Sequence, residues 1–424
     1  MKNDIIRLLP LLIGAASLAL GQTAPTPPPD VAIDVFEPLP ELKASEILRD
    51  TFLNGPNFQV REDVSTYSGA NRYTIDSHFG VFEADGNDML VRRVAEINAI
   101  AKLKEVSRTD EYKEALVASA KGTLNSAKNI ITDPVGTVKS MPKGIMKFMN
   151  RAGESLKDIG KSGDSDKADG SKARDLIGYS EMKRKEAIEL GVDPYSTNSV
   201  LQQQLDEIAW AAYAGKATFG LATMPIGGAA GIALTTTNVS GALENVLQEK
   251  SPGDLKIMNR KSLIAMGATE SEANRLLDNN AFSPSTQTAL VLHLKSLDGV
   301  ANRRAFIKLA GQTSSSEPDA MFCVQTAALM NKLHKGEMPL AKIALNENFP
   351  ICIGKDGTVV VALQWDYAAW TPLAKRFVDD LRKQNGTNAK YLVAITGVVS
   401  PLLRQQLESR GFRVEDRLAP GPLK

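Results

Sequence analysis

Between Lys216 and Glu244 the chain carries no charged side chain. The wider stretch Leu201–Leu247 reads LQQQLDEIAWAAYAGKATFGLATMPIGGAAGIALTTTNVSGALENVL, and after the N-terminus nothing else in the sequence is so apolar or so rich in small residues. Such a segment has little polar surface to offer water, so protein or lipid must cover it. Trp210, Tyr213 and Phe219 place large rings just before the Gly/Ala region. Gly227 and Gly231 have the small-xxx-small spacing that lets two helices approach closely. A transmembrane span is disfavoured: Met224-Pro225 lies inside, threonines cluster at Thr235–Thr237, and Leu, Ile, Val and Phe are sparse. The stretch therefore predicts a buried Ala/Gly-rich helical hairpin around residues 217–243, with conditional membrane insertion as the alternative.

The N-terminus sets the expected compartment. Lys2 and Arg7 flank the apolar run Leu8–Leu20, and Ala19-Leu20-Gly21 offers small residues where a signal peptidase cuts. The run is short for a bilayer span, which needs roughly 20 apolar residues. Residues 1–21 read as a signal peptide, giving an exported chain, periplasmic or secreted; an uncleaved anchor is the rival. The net charge of +1 gives no global reason to bind nucleic acid. Hydrophobic content of 43% and charged content of 23% are those of a folded protein rather than a disordered one.

Residues 22–40 are proline-rich and read as an extended spacer. Residues 41–160 open with a strand pair, Phe58–Val64 and Tyr73–Ala84, with a further turn near Ser77–Gly80 that holds His78. From Asp88 to about Leu124 the apolar residues recur at helical spacing, as one helix or a pair broken near Ser107–Thr109. The lysine-rich run 119–160 alternates basic and flexible apolar residues. Lys139, Lys143, Lys147, Phe148 and Met149 mark it as a candidate surface for an anionic membrane or another envelope protein. The plainer reading is short helices that lay one side on the core. Residues 161–172 are a polar linker or loop.

Residues 173–345 read as a helical domain. One helix stops at Gly191, the turn Val192–Ser199 follows, and Asn198 or Ser199 caps the next. Asp193 and Tyr195 are read there as turn chemistry. Thr269-x-x-Glu272 is a capping box, while Ser283-Pro284 and Ser316-Glu317-Pro318 open further helices. Residues 346–424 read as a small α/β unit in the order β-β-α-β-α-β. The fold class predicted is α+β, predominantly helical.

Chemistry is harder to find. HExxH, paired CxxC, P-loop, GxSxG and EF-hand signatures are all missing from the sequence. Three histidines and two cysteines give no expectation of a metal site, and no cofactor is expected. Cys323 and Cys352 could form a disulfide in an exported chain, although two small buried hydrophobes is the simpler reading. Cys323 and His334 share a face of one helix but sit roughly 16 Å apart along its axis, too far for a nucleophile–base pair. His293 lies among leucines and reads as a half-buried helix residue. Ile395-Thr396-Gly397 precedes a helix as phosphate-binding turns do, but lacks their glycines and Lys-Ser/Thr.

Four segments, TDPVGTVKSMPKG (132–144), GVDPYSTNSVLQ (191–202), FSPSTQTALV (282–291) and ITGVVSP (395–401), together resemble a set of exported bacterial proteins with no assigned function. The resemblance implies one widely used architecture and transfers no catalytic residue. The expected role is a non-enzymatic interaction or membrane-peripheral protein of the envelope. A hydrolase with carboxylate or serine chemistry in a cleft between helical body and C-terminal unit is the alternative, and a helical scaffold for another exported protein is a third.

Overall fold

Alternation of exposed and buried residues builds the first layer. The computed structural model describes residues 35–122, 169–221, 240–347, 349–418 and 421–424. The chain divides into two compact units, residues 1–36 and 37–424, and the elements of the fold belong to the second. They begin with β1 (Glu41–Lys43), the one-turn helices α1 (Ala44–Ile47) and α2 (Asp50–Leu53), β2 (Asn54–Gly55), β3 (Phe58–Val60), β4 (Asp63–Tyr67), β5 (Ala70–Ser77) and β6 (Gly80–Asp85).

All these strands pair antiparallel in one six-stranded sheet, with the long β5 joined to β3, β4 and β6. The expected strand pair is thus the middle of a larger sheet. The strand expected over 58–64 is split at Arg61–Glu62, where the Glu62 carbonyl turns aside to accept Ala44 N–H (2.8 Å). The two-residue turn between β4 and β5 places Ser68 and Gly69 at φ +51° and +84°, the conformation that matches strand twist in tight hairpins.

Next come α3 (Asn87–Val106) and α4 (Asp110–Gly122), broken where expected, then α5 (Asp169–Glu189) and α6 (Ser199–Gly215). Helix α3 is buried nearly all round. Leu90, Val94 and Ile97 pack with the sheet, whereas Ala99, Ile100 and Leu103 pack with Leu201, Leu205 and Ile208 of α6. It is the post between sheet and helical body rather than a cover over the strands.

The helical body continues with α7 (Ser240–Glu249), α8 (Pro252–Ala265), α9 (Glu270–Leu277), α10 (Pro284–Ser296), α11 (Arg303–Thr313) and α12 (Glu317–Lys335). Their ends follow the predicted caps: Asn198 on α6, the Thr269–Glu272 box on α9 and Ser283 on α10. Ser316 and Asp319 form a second box on α12. Most of the 217–243 stretch lies outside the described residues, but Leu221 and Leu243 at its two ends are buried.

The C-terminal layer comprises β7 (Leu340–Asn346), β8 (Phe349–Gly354), β9 (Val359–Leu363), β10 (Tyr367–Ala368), α13 (Pro372–Asn385), β11 (Tyr391–Ile395), β12 (Val398–Val399), α14 (Pro401–Glu408) and β13 (Phe412–Glu415). The sheet order is β13-β11-β9-β8-β7, with β7–β8–β9 antiparallel and β9–β11–β13 parallel. The boundary expected at 345–346 therefore falls inside a hairpin, because β7 pairs with β8.

Both β9 and β11 are buried along their whole length, as strands covered on two faces must be. Val360, Ala362, Leu392 and Ala394 face the helical body. Val361, Leu363, Val393 and Ile395 face α13 and α14. Residues 421–424 return to the first layer: Arg49 N–H donates to Pro422 O and Lys424 N–H to Ile47 O, both at 2.8 Å. Among the described residues no helix is long and apolar enough to cross a membrane.

Candidate functional site

Two hollows share one loop. Gln364 and Thr396 directly follow the last residues of the parallel strands β9 and β11, the edge at which open α/β sheets usually hold ligands. The loop they frame, residues 364–368, is fixed from several sides. Asp366 N–H donates to Gly69 O (2.7 Å), Gly397 N–H to Trp365 O (2.7 Å) and Val398 N–H to Asp366 O (2.9 Å). Gly397 has to be glycine: a Cβ there would collide with the main chain of Asp366. This explains the glycine of the Ile395-Thr396-Gly397 turn by close packing rather than by a phosphate.

On one side of the loop is an apolar cavity of about 420 Å³, within the range of roughly 300–1,000 Å³ typical of small-molecule sites. Its walls come from distant segments: Phe322 of α12, Phe349 of β8, Trp365 of the loop and Phe377 of α13. Phe349 meets Trp365 and Phe377 edge-on, with ring centroids 6.1 and 5.4 Å apart, the geometry aromatic quadrupoles prefer. Ser68 and Thr371 are the hydroxyl groups of the lining apart from Tyr367. The Trp365 indole rests on Gly69, where a Cβ would come within 2.5 Å of the ring.

On the other side is a polar cleft of about 120 Å³, lined by Arg49, Asp88, Gln364, Asp366, Thr396 and Arg417 among others. Asp366 is 2% exposed. Its Oδ2 accepts Asn71 N–H (2.9 Å) and Asn87 N–H (3.0 Å), and its Oδ1 accepts Gln364 Nε2 (3.3 Å). Asn87 opens α3, whose cap residue Gly86 has no side chain to offer. Asp366 therefore supplies the acceptor that an N-cap side chain normally provides.

Burial pushes the Asp366 carboxyl up to about 7, with the neighbouring Asp88 charge adding to the rise and the two amides opposing it. Burial also raises Asp88, to about 6, against the pull of Arg92. The cations of the cleft are directed elsewhere. Arg49 Nε donates to Leu423 O (2.9 Å), Arg417 NH1 to Lys424 O (2.7 Å) and Lys424 Nζ to Ser45 O (2.6 Å).

A buried polar junction lies further along α3. Glu96 Oε2 accepts Arg93 NH1 (2.7 Å) and Asn198 Nδ2 (2.9 Å), and its Oε1 accepts the Ser196 hydroxyl. Asp193, 5% exposed, accepts Tyr195 N–H (2.8 Å) and the Ser285 hydroxyl, with Arg92 3.7 Å away. The turn chemistry expected of Asp193 is present, and in addition the turn is tied to α3 and α10. Ser285 faces a carboxylate and no imidazole, so this junction is a staple and not a hydrolytic triad.

The residues singled out in the sequence fall elsewhere. Lys139, Lys143, Lys147, Phe148 and Met149 lie outside the described residues. Cys323 and Cys352 are free thiols, both buried in the same core, so the disulfide is not formed; burial raises each to about 12. His293 is wholly buried, not half-buried, and burial lowers it to about 4. His334 Nδ1 accepts Leu340 N–H (3.0 Å), joining the end of α12 to β7, and His78 is exposed in its turn. Among the described residues there is no His/Cys/Asp/Glu group of metal-binding size. No protein-family model, curated protein or solved structure matches the chain.

Proposed function

We propose that this chain is an exported, non-enzymatic binding protein that holds a small apolar or amphipathic molecule in the cavity between β9, β11 and α13. The cavity carries the reading: it is about 420 Å³, walled by Phe322, Phe349, Trp365 and Phe377, and nearly free of polar groups. Such a lining binds by excluding water from apolar surface. It contains no nucleophile–base pair and no convergent charge that would act on a bound molecule. Lys139, Lys143 and Lys147, with Phe148 and Met149, complete the proposal as the contact to an anionic membrane from which such a ligand is drawn.

The cleft carboxylates support the hydrolase alternative less well. Asp366 already accepts two main-chain amides, which leaves it poorly placed to take a proton from water.

N-phenyl-1-naphthylamine, which brightens in apolar surroundings, tests the reading. Saturable enhancement by one probe per chain, lost in Ala374→Phe, is expected, since Ala374 lines the cavity. Circular dichroism checks that the variant stays folded. Absence of saturable binding, or binding indifferent to Ala374→Phe, refutes the proposal. Co-sedimentation with anionic vesicles at low salt tests the membrane contact separately.

A further inference from the structure

We propose that Asp366 is a proton-operated latch on the 364–368 loop: protonated, it holds the loop closed against the apolar cavity, and ionised, it releases it. The inference rests on the binding reading above and concerns the regulation of the same site.

The geometry is that of a clasp. One carboxyl group joins the β4–β5 hairpin through Asn71 N–H, the start of α3 through Asn87 N–H and its own loop through Gln364. The residue before it, Trp365, is a wall of the cavity, and the residue after it, Tyr367, lines the same space. Whatever moves Asp366 moves that wall.

The groups facing the latch decide the sign. From α3 comes Asp88, a like charge whose carboxyl has no hydrogen-bond or ion-pair partner among the described residues; Arg92 of the same helix lowers it from a distance while lying 3.7 Å from Asp193. From β5 comes the Tyr73 phenol, hydrogen-bonded to Asn71 and Asn87; the Asp366 charge and burial both keep it protonated. From the residue that precedes α2 and from the C-terminal residues come Arg49, Arg417 and Lys424, each donating to a main-chain oxygen and, among the described residues, none forming an ion pair with Asp366 or Asp88.

Ionised Asp366 thus sits out of water beside a second carboxylate and, among the described residues, in an ion pair with no cation. The protonated acid keeps Oδ2 for the two amides and directs its proton from Oδ1 to the Gln364 amide oxygen after a simple amide flip. The closed state holds its proton to about pH 7, whereas a solvated aspartate releases it near ~3.9. Opening therefore becomes up to about tenfold more favourable per pH unit across that interval and then levels off.

Hydrogen exchange of the whole chain without ligand reads the latch directly. Corrected for intrinsic rates, protection of the Asn71, Asn87, Asp366 and Tyr367 amides should fall by about ten- to a hundredfold from pH 5 to 7 and level off above it. Asp366→Asn should remove this dependence, and Asp88→Asn should move its midpoint to lower pH. In wild type, affinity for N-phenyl-1-naphthylamine should weaken over the same interval.

Protection that does not change with pH, or changes equally in Asp366→Asn, overturns the latch. So does probe affinity that ignores pH while protection changes. If no probe binds at all the binding reading fails, and the exchange data alone then decide whether Asp366 gates the loop.

Discussion

Replacing Asp366 by Asn should make the protein more stable than wild type as pH rises, relative to the difference between the two in acid. An aspartate in the unfolded chain titrates near ~3.9, and in the folded chain this one titrates at about 7. Between those values the folded state binds the extra proton, so the stability of wild type falls with rising pH. The full effect is about 4 kcal/mol, an upper bound because hydration of the cleft relaxes part of the burial. Asp88, raised to about 6, contributes in the same direction. His293 opposes both: buried and lowered to about 4, it stays neutral in the fold while the unfolded imidazole titrates near ~6.5, so its contribution rises with pH between those values. Subtracting wild type from variant cancels His293. It also confines any loss from altered hydrogen bonding to a constant offset. Urea unfolding at pH 4.5, 6 and 7.5, with m checked for equality, gives the difference curve. A gain of about 2–4 kcal/mol for the variant across that range is expected. A flat difference means that the folded-state carboxyl titrates like a solvated one, and the reasoning about its burial fails.

Other sites give independent tests. Glu96→Ala should cost about 3–5 kcal/mol in urea unfolding, because Arg93, Asn198 and Ser196 lose their common partner in a buried place; Glu96→Gln should cost less, and equal losses would argue against a role for the charge. Cys323 and Cys352, 3% and 0% exposed, should both resist a thiol reagent such as dithionitrobenzoate in the native protein and both react in urea; prompt labelling of either in the native state would contradict its burial.

Local rules located most of the helices, since a cap and an apolar period are properties of neighbouring residues. The Thr269–Glu272 box, the Ser283 cap and the stop at Gly191, where φ is +69°, are of this kind. Strands β1 and β2 escaped because they are three and two residues long, too short to show alternation. Strand β7 escaped for a different reason. Its buried residues are Leu340, Ile343 and Asn346 rather than alternate ones; the irregularity between Leu340 and Lys342 accounts for the first of these steps. The site was the least legible part. Its residues come from 39, 68–69, 322, 349 and a series of positions between 361 and 412, and no spacing in the chain records that they meet. Gly69 and Gly397 are the faint trace of it: each is a place where another segment comes too close for a side chain.

The way α3 is capped bears on what the loop is for. A serine, aspartate or asparagine before a helix commonly provides the missing acceptor locally, a contribution of about 1 kcal/mol. Here position 86 is a glycine at φ +102°, and the acceptor for Asn87 N–H comes from Asp366, 279 residues beyond Asn87. The exchange is unfavourable for stability alone, because it buries a carboxyl beside the charge of Asp88. It does gain a fixed relation between two layers: the helix around which the sheet and helical body pack now also sets the position of the loop carrying Trp365. A local cap could hold the helix end equally well but could not transmit the protonation of one group to the wall of the cavity.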